Sequence, residues 1–202
     1  MMAMGQVLRR KLNPVLAGAL SAAVLVGTLL YMIQGRAAIL RNGAEVVLKA
    51  APIDPRDLMR GDYVRLGYED ISTVSGALFT DGWPEQDVDA PLWLALATGE
   101  DGLAKVASIS FARPDTGVAD TVYLRSEPVK VYASDKERSR DVVLSLQFGI
   151  ERYYVPEGEG LEIEAARNEG RTTVAVRVSA SGEPQIARLM IDGETLYSEP
   201  LY

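Results

Sequence analysis

Read from the N-terminus, the chain starts with one long apolar run and then changes rhythm. "LNPVLAGALSAAVLVGTLLYMIQ" carries no charge between Lys11 and Arg36. About 20 apolar residues at 1.5 Å each match a bilayer core of about 30 Å. A helix packed on a soluble core usually keeps a polar face, and this run has none. It predicts a membrane-spanning helix over 12–34. A basic tail at 1–11 precedes it, and a linker at 35–44 leads to a domain over 45–202. The run closes on Leu29, Leu30, Tyr31, Met32 and Ile33. These are too bulky for the small-x-small site of a cleaved leader, so the helix is expected to remain as an anchor.

Beyond residue 44 apolar and polar positions alternate in short segments, broken by Gly, Pro, Asp and Asn. "AEVVLKAAPID", "DYVRLGY", "PLWLALA", "LAKVASISF", "TVYLRSE", "VKVYAS", "DVVLSLQFG", "RTTVAVRVSA" and "QIARLMIDG" read as strands. "PLWLALA" and "LAKVASISF" flank "TGEDG" and form the clearest hairpin. In "DYVRLGY" the two-residue period puts Val64, Leu66 and Tyr68 on one face, with Tyr63, Arg65 and Gly67 on the other. "GEGLEIEAARNEG" has early acids, a late Arg167 and Gly170 as a stop, the order a short helix prefers. Asp81 to Pro91 reads as the longest surface loop. The fold expected is mainly β: an N-terminal transmembrane helix followed by an antiparallel β-sandwich or partly closed barrel with one short helix. There is no αβ alternation, no GxGxxG and no Walker loop.

Composition narrows the chemistry. The 202 residues contain no Cys and no His. Thiol nucleophiles, imidazole bases, disulfides and Cys/His zinc sites are therefore excluded. Net charge is −7, and setting aside Arg9, Arg10 and Lys11 leaves about −10 on the rest. Such a surface does not suit nucleic acid, and no cofactor is expected. Those three basic residues outnumber Arg36 and Arg41 across the helix. The positive-inside rule then puts the N-terminus in the cytoplasm. In a bacterial cell the protein would be single-pass in the inner membrane, with its C-terminal domain periplasmic.

Two clusters combine carboxylates, Arg and Tyr: "DPRDLMRGDY" and "FGIERYYVPEGEG". Read structurally, "RGD" is a turn in which Gly61 takes positive φ and Asp62 bonds its own backbone. Read functionally, the clusters meet in a cleft where Asp62 and Glu151 or Glu157 act as acid and base. Carboxylates can also hold Ca²⁺, but no EF-hand spacing is present, so no metal is assigned. A Ser–Lys peptidase is not supported: the first Ser after the helix is Ser72, and Lys49, Lys105, Lys130 and Lys136 have no diagnostic partner.

"GDYVRLGY", Gly61 to Tyr68, fits the pattern G-D-Y-x-x-L-x-Y and resembles the GDYXXLXY family of bacterial membrane-anchored proteins. "DPRDLMRGDYVRLGY" is similar to the family's first block, "FGIERYYVPEGEG" to its second, and "IDGETLY" to its ending. The resemblance implies signature positions at Gly61, Asp62, Tyr63, Leu66, Tyr68, Gly149, Glu151, Arg152, Tyr153, Pro156, Glu157 and Gly158. It also implies a membrane-anchored accessory protein, since such proteins occur beside or fused to multi-spanning membrane proteins. It carries over no enzymatic activity. The expectation is a non-catalytic module that binds another envelope protein, a multi-spanning one. The alternative is an anchored carboxylate hydrolase or a domain that binds envelope sugars or peptides.

Overall fold

The computed structural model describes residues 13–52, 63–114, 120–156 and 158–200. The chain divides into two units, 1–38 and 39–202. Helix α1 spans Pro14–Asn42. Asn13 Oδ1 accepts from the Val15 N–H at 3.0 Å and Pro14 takes the first helical position, a favoured start. The helix is long and apolar enough to cross a membrane, and an 18-residue stretch of it has mean hydropathy 2.1.

One expectation needs correcting here. Most of 35–44, expected as a linker, is helix through Asn42. "GRAAILRN" contains no proline, and Ala, Leu and Arg are strong helix formers, so nothing stops the helix earlier. Gly43 stops it. Its N–H donates to Ile39 O at 2.8 Å. A Cβ there would lie 2.6 Å from that oxygen and 3.0 Å from Val178 O. Strand β1 (Ala44–Ala51) begins at the next residue.

In the second unit β1 lies in the middle of an antiparallel sheet. It pairs along its length with β10 (Thr172–Val178) and at its far end with β3 (Gly67–Tyr68). β11 (Pro184–Ile191) and β12 (Glu194–Ser198) extend the other side, giving the order β12-β11-β10-β1-β3. A second sheet has β5 (Val88–Thr98) between β6 (Ala104–Ser110) and β7 (Thr121–Val131). Two short ribbons bridge the rest: β2 (Tyr63–Arg65) with β9 (Arg152–Tyr154), and β4 (Thr73–Ser75) with β8 (Val143–Ser145). Helix α2 spans Gly160–Asn168. All of these strands pair antiparallel and bury one continuous apolar cluster, which runs from Val46 and Leu48 through Leu92 and Leu94 to Val174 and Leu189. Among the described residues no closed barrel forms.

The alternating pattern located these strands well and misjudged some lengths. "TVYLRSE" and "VKVYAS" are one strand, β7. Pro128 stands opposite Pro91 at an irregularity in the ladder, where the donor that each proline lacks is not missed. "DVVLSLQFG" contributes only the three residues of β8. Gly182 sits at φ +83, where a Cβ would meet the Trp93 ring at 2.6 Å. That close approach lets Arg125 N–H reach Gly182 O at 2.9 Å.

Candidate functional site

The first two signature blocks are neighbouring strands. β2 and β9 pair in register Tyr63↔Tyr154, Val64↔Tyr153 and Arg65↔Arg152. The chain then changes partner at Leu66. Its N–H still donates to Glu151 O at 2.9 Å, while Gly67 and Tyr68 pair with Ala51 and Ala50 of β1. The spacing from Tyr63 to Tyr68 is thus the length needed to leave one strand and join another.

The inner face of this ribbon is core. Val64 and Leu66 are fully buried, and Tyr68 nearly so. Tyr68 OH donates to Ile150 O at 2.7 Å, tying the end of the first block to the second. Burial holds the Tyr68 phenol well above its ordinary range, and the Glu151 charge adds to the effect. Tyr153 is buried with its ring 6.1 Å from that of Tyr197. Its phenol is also raised, by burial first and then by the nearby Glu199 charge. Tyr197 lies in "IDGETLY", so all three resembling blocks meet here. Glu151 closes a local turn: its Oε1 accepts from Phe148 N–H at 2.6 Å. Gly149 precedes it at φ +76, and Gly158 lies beyond the strand at φ +90. Exposed Pro156 accepts from Glu159 N–H at 3.2 Å.

The outer face differs. Tyr63 and Tyr154 stand 6.1 Å apart, and the Arg152 guanidinium lies 6.0 Å over the Tyr63 ring. Arg65, Arg152 and Tyr154 are exposed. Arg65 and Arg152 also edge a cleft of about 730 Å³ that reaches Glu69, Glu127 and Glu151. Among the described residues, no group of three or more His, Cys, Asp or Glu is placed to hold a metal.

Gly61, Asp62 and Glu157 lie outside the described residues, and with them the expected turn at "RGD" and the two-carboxylate pairing. Of the three carboxylates proposed for acid–base work, Glu151 is the one described, and it caps a turn. Sequence reasoning missed Arg167. It read this residue as charge for the end of a helix, whereas α2 turns it inward to 2% exposure. Its Nη1 donates to the carbonyl of Arg65, and Nε and Nη2 donate to Asn168 Oδ1. Burial lowers its pKa; the nearby Glu164 charge opposes that shift, and the Arg65 charge adds to it. No sequence signal separates a helix-end Arg from one that holds a neighbouring strand.

No curated protein and no solved structure matches the chain. The family model described as GDYXXLXY protein matches residues 25–189, most of the length and both of the paired blocks. The chain belongs to the GDYXXLXY family.

Proposed function

We propose that this protein is a non-catalytic module, anchored by α1 and carrying a β-domain that binds a multi-spanning envelope membrane protein. The observation that carries this reading is the use of the signature itself. Leu66, Tyr68 and Tyr153 fill the core, and Glu151 closes a turn. The motif therefore builds a scaffold and spends little on a reactive centre. Helix α1 supports the anchor. Its 29 residues reach about 43 Å at 1.5 Å per residue, more than a core of about 30 Å requires. The basic tail supports an N-terminus in the cytoplasm and a periplasmic domain in the inner membrane of a bacterium.

Three measurements test the reading. Alkaline carbonate should leave the full chain in the membrane fraction. A reporter fused after Tyr202 should be active only outside the cytoplasm. Photocrosslinking positions spread over the domain, in intact membranes, should capture the same multi-spanning protein repeatedly. Extraction by carbonate, a reporter active inside, or no reproducible capture would each overturn the corresponding part.

A further inference from the structure

The outer face of the β2–β9 ribbon is arranged differently from the rest of the acidic domain. Arg65 and Arg152 are directly opposite in the register. Like charges placed so cost stability in an antiparallel pair. Neither has an ion-pair partner among the described residues. The Tyr63 ring neighbours both the Arg152 guanidinium and the tilted Tyr154 ring, which limits how far the arginine can roam. Tyr154 is 73% exposed, and Leu161, at the start of α2, is 77% exposed. A Cβ at Gly160 would touch Val64 and Val155, so α2 begins beside this ribbon. Tyr and Arg are the residue types that dominate binding hot spots, because they offer large rigid area and directional charge.

Resting on the tethered-module reading, we infer that the Tyr63–Arg65–Arg152–Tyr154 face is where the domain docks an acidic external loop of its membrane partner. Charge complementarity selects that occupant. A carboxylate between Arg65 and Arg152 accepts from two guanidinium groups and relieves their mutual repulsion. An aromatic or proline beside it covers Tyr154. A second copy of this chain would bring two arginine faces together, which like charge opposes.

The test uses the full-length protein in intact membranes, with p-benzoylphenylalanine at Tyr154 as the probe. Val143 is the control, 66% exposed on another ribbon. The crosslinked segment is identified by peptide sequencing. Capture at Tyr154 of an acidic loop of a multi-spanning protein is expected, with much less at Val143. R152E should lower the yield about tenfold, the ratio that 1.4 kcal/mol gives. Replacing the loop's acids by lysine should restore it with R152E. Because Arg152 is exposed and its loss relieves the repulsion from Arg65, the variant should melt no lower than the parent. A crosslink to a second copy, a segment without acids, an unchanged yield in R152E, or no crosslink at Tyr154 would overturn the assignment. If Val143 captures a multi-spanning partner and Tyr154 does not, the module reading stands and this docking face falls.

Discussion

The two faces of the β2–β9 ribbon come from the same six residues and answer to different rules. Inside, Val64 and Tyr153 oppose each other in the core, and Leu66 and Tyr68 continue the row. Outside, half-buried Tyr63 and exposed Arg65, Arg152 and Tyr154 form a face of charge and rings. One set of side chains determines whether the domain folds, and the other has little to do for folding. A signature that spans both faces therefore mixes structural and surface positions, and only the pleat separates them.

Substitutions should show that division as a gradient. The largest effect is expected at Leu66, which is fully buried. Leu66→Ala should cost about 2–5 kcal/mol through lost burial and the cavity left behind, read by chemical denaturation. A cost under about 1 kcal/mol would mean that the inner face repacks freely. Next is Arg167→Met, which keeps the volume and removes the donor to the Arg65 carbonyl. Leaving that oxygen unbonded should cost about 1–3 kcal/mol. An unchanged midpoint would show that α2 does not secure β2.

Tyr68→Phe is smaller. It removes the hydroxyl bonded to Ile150 O and should cost about 1 kcal/mol at neutral pH. Its pH signature is more specific. The unfolded phenol ionises near 10, whereas the folded one keeps its proton to higher pH. Above about pH 10 the folded state then binds more protons than the unfolded state, so stability falls as pH rises. Tyr68→Phe should flatten that fall. It should not abolish it, because Tyr153 is raised too. Denaturation at pH 8 and pH 11 distinguishes the outcomes, and an equally steep loss in the variant would remove Tyr68 from the account.

How much of this was legible depended on distance along the chain. The core face of "DYVRLGY" could be read because alternation is local and Leu66 has a clear preference. The helix reaching Asn42 was legible in principle from "RAAILRN", where propensity outweighs the expectation of a linker. The last hairpin carried a stronger signal than it was given. Asp192 and Gly193 both take positive φ, the turn that an Asp-Gly dipeptide favours between strands, and β12 follows. The pairing of the two blocks was not legible. Tyr68 and Ile150 are 82 residues apart, and no local pattern sets which strand accepts which. Arg167 fails for the same reason, since its partner is a carbonyl on a strand 102 residues away.

The smallest effect is expected on the outer face, and its sign matters more than its size. Arg65 stands opposite Arg152, and its charge also disfavours the buried Arg167 cation. Arg65→Gln removes both repulsions and leaves the carbonyl that Arg167 uses. It should stabilise the isolated protein by a few tenths of a kcal/mol, the scale of a cross-strand charge pair. The gain should be visible at 20 mM salt. It should fade at 1 M, where screening acts over about 3 Å. Paired denaturation curves at the two salt concentrations measure it. A gain that salt removes identifies a face whose charges are unsatisfied in the protein alone, which is what a docking surface requires. A loss of stability would mean that Arg65 is held by a partner within the chain. The two faces of the ribbon would then be equally structural, and the contrast between them would be one of burial only.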